Sequence, residues 1–142
     1  MGMGDIIVTV VPVFSSLCNL PFALRRAVAV VEQRAPAAEE FDEYDLTATH
    51  WIAIGEGEVC GTLRLIGKPE HTKLGRIAVR HDSHRKGVTR RMITAAMDER
   101  RAARQDRFQL DAQADKLAMY EKVGFVAYGN EFDDGGIPHR AM

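Results

Sequence analysis

Val79-Arg80-His81-Asp82-Ser83-His84-Arg85-Lys86-Gly87-Val88-Thr89-Arg90-Arg91-Met92-Ile93 is the stretch on which the reading of this chain turns. An apolar run, Gly75-Arg76-Ile77-Ala78-Val79, feeds a short polar loop, and the loop opens at once into a segment of helical period. Arg85 and Lys86 stand where that helix begins. Cations are disfavoured there, because the first-turn amides already present about half a positive charge. A basic loop at that spot makes sense if it receives an anion, with backbone N–H groups and side chains aimed at one phosphate. The stretch therefore points to a small-molecule site at a strand-to-helix junction.

Working outward, residues 5–13 are rich in β-branched side chains and predict a first strand. Over residues 20–34, Phe22, Leu24, Val28, Val31 and their alanine neighbours fall at helical spacing, stopped by Pro36. Residues 39–45, Glu39-Glu40-Phe41-Asp42-Glu43-Tyr44-Asp45, read as too charged for a core and predict a solvated loop or short helix. Strands follow at 49–55 and 58–66 around the turn Gly55-Glu56-Gly57, with a third at 73–79. Residues 88–103 predict a helix with Val88, Met92, Ala95, Ala96 and Ala103 on its apolar side. Then come a strand at 108–113, a helix at 115–123 ended by Gly124, a strand at 125–128, and a turn at Asp133-Asp134-Gly135-Gly136 before an extended piece at 137–142. The order β-α-loop-β-β-β-α-β-α-β-β implies an α/β (α+β mixed) fold, a mixed sheet flanked by helices.

A chain of 142 residues fits one domain, residues 1–142, and buries about two-thirds of its unfolded surface. The net charge of -1 gives no global attraction to nucleic acid or to anionic membranes, so an anion site has to be local. Arg80, Arg85, Lys86, Arg90, Arg91, Arg100, Arg101 and Arg104 are balanced by acidic residues elsewhere, and no aromatic platform interleaves with them, which argues against a nucleic-acid partner. Cys18 and Cys60 match no metal or redox spacing and predict two free, buried thiols in a reducing compartment. His71, His81 and His84 lack metal-ligand spacing, so no metal is expected. The apolar N-terminal run has no basic residue before it and is interrupted by Pro12, and no stretch reaches the roughly 18 apolar residues of a membrane span. The expected location is cytoplasmic, with no membrane partner.

Three stretches, taken in order, resemble one known family. They are residues 24–33 with Glu40-Phe41-Asp42-Glu43-Tyr44-Asp45 and Thr49-His50-Trp51, then Gly75-Arg76-Ile77-Ala78-Val79 with the basic loop, and then Leu110-Asp111-Ala112-Gln113-Ala114 with residues 118–125 and 134–142. Their joint order and spacing are similar to the GNAT N-acetyltransferase superfamily, and nearly end to end to its ElaA/YjcF-like branch.

The resemblance implies a mostly antiparallel central sheet splayed at its central strands, acetyl-CoA as donor, and a primary amine of a small molecule or peptide as acceptor. It places the pantetheine arm along the edge of Ile77, Ala78 and Val79. The pyrophosphate falls on the loop and helix start, at His84, Arg85, Lys86, Gly87, Val88, Thr89 and Arg90. It makes Tyr120, which also borders the donor, the acid for the departing thiolate, and leaves Glu32 and Asp111 as candidate bases, with a water relay equally open. Glu32, Gln113 and His139 fall on the acceptor side, and a homodimer stays open. Taken alone, Tyr120 reads as a packing residue and His139 as a hydrogen-bonded structural one. The family loop is written Arg-Gly-x-Gly-x-Gly or Arg-Gly-x-Gly-x-Ala, whereas this chain keeps the central Gly87. A Cβ at Arg85 restricts positive φ, and Thr89 narrows the approach to the helix while offering a hydroxyl to a phosphate. That departure keeps a second function open, a CoA-binding module acting as sensor or interaction protein. Carboxylates at 39–45 lie where the family builds part of its acceptor pocket.

Overall fold

β-Branched and alternating segments assemble a single seven-stranded sheet, in the computed structural model that describes residues 6–84 and 86–142. Asp5, the expected start of the first strand, and Arg85 of the basic loop lie outside the described residues. The strands are β1 (Ile7–Val11), β2 (Thr49–Gly55), β3 (Glu58–Gly67), β4 (Thr72–Val79), β5 (Phe108–Gln113), β6 (Tyr128–Asp134) and β7 (Ile137–Ala141), in the order β1-β2-β3-β4-β5-β7-β6. Every pair is antiparallel except β4–β5, which is parallel and joined by a helical crossover. Two hairpins close through residues of positive φ, Glu56 with Gly57 (55° and 79°) and Gly135 with Gly136 (63° and 85°), as two-residue turns demand. The mixed, splayed α/β architecture is as expected.

Among the described residues, four α-helices flank the sheet: α1 (Asn19–Arg25), α2 (Ala37–Glu40), α3 (Val88–Ala102) and α4 (Leu117–Glu121). α3 lays Val88, Met92, Ile93, Ala96 and Met97 on the sheet, against Leu63, Leu65, Leu74 and Leu110. Gly61 on β3 permits that approach: a Cβ there would sit 2.8 Å from Val88 Cγ1 and 2.9 Å from Met92 Cε. The predicted 20–34 helix forms, but only its first half is α-helical. Residues Arg26–Glu32 continue it as a π-helix, in which the Gln33 amide reaches the Val28 carbonyl five residues back, at 3.0 Å. The wider turn carries Val31, which helical spacing had aligned with Val28, out to 69% exposure. The strand expected at 125–128 also lies elsewhere, since β6 starts at Tyr128. All seven of its residues are exposed, so it lacks the half-buried alternation that marks a strand.

The acidic segment is not a solvated face. Arg25 is fully buried and binds Glu40 through Nε (2.8 Å) and Asp45 through Nη1 (2.7 Å). Arg64, buried on β3, reaches Asp42 (2.6 Å) and Asp45 (3.0 Å). Arg76 donates to the Glu39 and Glu40 carbonyls (both 2.9 Å) and to Asp42 (3.0 Å). Three arginines thus neutralise three of the segment's five carboxylates, leaving Glu39 and Glu43 exposed. Removing one member of such a buried set costs about 3–5 kcal/mol. Among the described residues, no helix is long and apolar enough to cross a membrane.

Candidate active site

β4 and β5 pair over three residues, Thr72↔Phe108, Lys73↔Gln109 and Leu74↔Leu110, and then part. Beyond Leu74 the edge of β4 that would face β5 carries no ladder. On its other side the register with β3 slips, from Arg64↔Gly75 to Thr62↔Ala78, so that Arg76 and Ile77 together oppose Leu63. This bulge puts Arg76 at φ +47°, a conformation that costs a side-chain-bearing residue about 1–2 kcal/mol. The three hydrogen bonds of its guanidinium to residues 39–42 hold it there. The acidic segment and the bulged strand are therefore one mechanical unit.

The parting strands open a cleft of about 200 Å³. Gly75, Arg76, Ile77 and Ala78 line it from β4, Asp111 and Gln113 from β5, Ile137 and His139 from β7, and Tyr120 from α4. Val28, Ala29 and Gln33 close it from the π-helical stretch and its end, a placement often taken by π-turns. Of the predicted site residues, Ile77, Ala78, Asp111, Gln113, Tyr120 and His139 converge here. Glu32 does not. It is exposed at the end of the π-helix, where the widened turn brings its neighbour Gln33 to the cleft instead.

Val79 and the loop after it lie past this cleft, at the C-terminal end of β4. His84 folds the loop back, its Nε2 donating to the Val79 carbonyl at 2.9 Å. Gly87 stands at φ +76° as the residue before α3, so the glycine this chain retains is at the position that requires one. Thr89 sits inside the first helical turn, where positive φ is not needed, and is half-buried. Among the described residues no side chain caps the helix start, which leaves its first amides to an anion. Lys86 and Arg90 are exposed beside them. Arg80 is committed elsewhere, to Glu58 and to Asp82 (2.6 Å), and Arg91 donates to the Ile6 carbonyl at 3.0 Å. Of these described cations, Arg80 is paired with carboxylates, whereas Lys86 and Arg90 stand exposed at the helix start.

Inside the cleft, Tyr120 is 7% exposed and packs edge-on against Phe125 (centroids 6.5 Å apart). Burial pushes its phenol up to about 12, so it is fully protonated at neutral pH. Such a phenol can hydrogen-bond a developing thiolate, whose own basicity the same dry surroundings raise. Asp111 is paired with Lys73 (3.2 Å) and accepts from Gln109 (2.9 Å). His139 Nδ1 lies 2.7 Å from the Ile137 carbonyl, and its ring stacks on Phe132. Gln113 reaches Gln33 at 3.5 Å across the cleft mouth. Sequence reasoning missed Arg25, Arg64 and Arg76. Their signal was an arginine set among apolar neighbours, as in Leu63-Arg64-Leu65, in a chain that also holds a dense acidic segment.

An acetyltransferase (GNAT) domain family model matches residues 23–142. The uncharacterized N-acetyltransferase YjcF of Bacillus subtilis is 35% identical over 123 residues, covering 85% of this chain and 87% of that protein. Among solved structures, Escherichia coli ElaA superposes with a TM-score of 0.86 at 25% identity, over 96% of this chain and 97% of ElaA. A GNAT family acetyltransferase from Elizabethkingia anophelis, solved with acetyl-CoA bound, shares the fold with a TM-score of 0.72 at 15% identity, over 98% of each chain.

Proposed function

The chain belongs to the GNAT acetyltransferase family, and from that premise we propose that it transfers an acetyl group from acetyl-CoA to the primary amine of a small molecule or peptide. The observation that carries this reading is the unladdered edge of β4 from Gly75 to Val79, which leads from the cleft to a helix start that no described side chain caps. An exposed strand edge accepts an extended amide-bearing chain as an added strand. The pantetheine arm is such a chain, and Ile77, Ala78 and Val79 would hold it. His84, Lys86, Gly87, Val88, Thr89 and Arg90 would hold the phosphates through first-turn amides and exposed cations, and Arg85, from the same run of sequence, is proposed to add its charge.

When bound, acetyl-CoA supplies an activated acetyl carbonyl and a thiolate leaving group. The protein's part is to orient the amine beside that carbonyl, to exclude water, and to place amides near Ala78 and Val79 and the Tyr120 hydroxyl where negative charge develops. Asp111, Gln113 and His139 face the acceptor from the far wall. Orientation alone is worth up to about 7–11 kcal/mol, so the chain need not carry a dense catalytic array.

Calorimetry with acetyl-CoA tests the donor site. The wild type should bind in the micromolar range, and the double variant Lys86→Glu/Arg90→Glu should bind at least about tenfold more weakly, a loss near 1.4 kcal/mol. Thiol release should follow when glucosamine, spermidine, lysine or a tetrapeptide with a free N-terminus is added. A wild type that shows neither binding nor thiol release overturns the reading.

A further inference from the structure

Resting on the transferase reading above, we propose that His139 is the acceptor-side base of the reaction. Taking a proton from an attacking amine needs a lone pair that opens onto the cleft and is not already committed to a cation. Asp111 is committed, to Lys73 at 3.2 Å and to Gln109 at 2.9 Å. Glu40 is bound to Arg25, Glu32 is off the cleft, and Tyr120 retains its proton. Glu39 and Asp134 are exposed at the rim, where water hydrates their charge.

His139 differs in three respects. Its Nδ1 lies 2.7 Å from the Ile137 carbonyl. A carbonyl only accepts, so Nδ1 carries the hydrogen and the neutral ring keeps its lone pair on Nε2. Pro138, with its fixed φ, links the carbonyl to the ring that it orients. Phe132 stacks on the imidazole at 6.0 Å and 29°, holding its plane, and the pairing Gln113↔His139 places the residue on the cleft wall. The charged groups that line the cleft with it are Glu39 and Glu40 of α2 (Glu40 bound to Arg25), Lys73 and Arg76 of β4, Asp111 of β5, Lys116 before α4 and Asp134 at the end of β6.

The step balances. His139 Nε2 takes a proton from the attacking nitrogen as the C–N bond to the acetyl carbonyl forms. The C–S bond breaks with its electron pair left on sulfur, and Tyr120 gives that sulfur its hydroxyl proton. The proton held by His139 returns through solvent to the Tyr120 oxygen.

The test compares wild type with His139→Gln, whose amide fills the space but takes no proton, following thiol release from acetyl-CoA with the same four amines. Wild-type kcat/KM should fall on the acid side of its pH profile, as a base that must be unprotonated to act demands. His139→Gln should lose about a hundredfold at neutral pH and lack that limb, while binding acetyl-CoA within about threefold of wild type. Added imidazole should restore turnover to His139→Gly. Wild-type rate and an unchanged acid limb in His139→Gln overturn the assignment. Failure of the transferase reading looks different, because the wild type itself then neither binds donor nor releases thiol. The ring can be read without turnover: nitrogen-15 spectra of the imidazole-labelled wild type at alkaline pH should show the Nδ1–H tautomer, and an Nε2–H tautomer overturns the inference.

Discussion

Tyr120 shows how burial redirects a side chain's chemistry. At its ordinary acidity a phenol stands close to a thiol, but desolvation holds this one near 12, so in the proposed reaction it would serve as a hydrogen-bond donor whose proton moves when the sulfur's charge is fully formed. Tyr120→Phe keeps the ring and its edge-on contact with Phe125 and removes that donor. We expect kcat to fall about 10- to 100-fold with the acetyl-CoA dissociation constant unchanged. Steady-state thiol release alongside calorimetry measures both, and an unaltered kcat would assign the residue to packing. The place of Tyr120 on the cleft was legible through the family resemblance, because its position in Ala-x-Tyr-x-Lys-x-Gly-Phe is local. Arg25, Arg64 and Arg76 were not, because their meaning depends on partners 15 to 37 residues away. A linear reading sees a carboxylate run and assigns it to solvent; the fold supplies three guanidinium groups and buries part of it.

At the scale of elements, the contact between β3 and α3 sets how closely the helix that follows the basic loop rides on the sheet. Gly61 is the point of nearest approach, and the Val88 methyl that a Cβ would meet belongs to the first residue of α3. Gly61→Val should therefore destabilise the fold by about 1–3 kcal/mol through overpacking. By displacing the helix start, it should also weaken acetyl-CoA binding more than an overpacking substitution remote from that start. Urea titration and calorimetry on the same variant check the pair of effects. Full stability with full affinity would show that Met92 and Val88 simply yield. Strong local patterns made most elements legible: β2 and β5 fall where the periodicity put them, at 49–55 and 108–113. The π-helix did not announce itself, because α and π turns share the same apolar letters and differ by one residue of winding. β6 escaped for the opposite reason, being exposed throughout and so without a buried face to pattern it. The splay of β4 from β5 is an event between elements, and only the family resemblance supplied it.

For the whole molecule, the buried ion cluster joins α1, the acidic segment and β3–β4 into one body, and its protonation governs stability in acid. Burial works to raise the carboxyls of Asp42 and Asp45. Hydrogen bonds and charge from Arg64, joined by Arg76 at Asp42 and by Arg25 at Asp45, outweigh it and hold both below the usual range. His50, whose Nε2 donates to the Asp45 carbonyl at 2.9 Å, is pushed the same way, chiefly by its own burial, with Asp45 opposing. In all three cases the unfolded chain binds protons that the folded one refuses, so stability rises with pH through each window. The His50 contribution is whole above about 6.5 and is lost as pH drops below it, whereas that of Asp42 and Asp45 is whole above about 3.9 and is lost below it. Unfolding free energy from urea titration should thus be flat near neutrality and decline gently below about pH 6.5. It should then fall steeply below about pH 4, each extra proton taken up on unfolding steepening the slope by at most about 1.4 kcal/mol per pH unit. His50→Gln should flatten the first decline and leave the second. A wild type equally stable at pH 7 and pH 5, or a His50→Gln variant with the same first decline, would show that the histidine is not sealed from water as its burial implies.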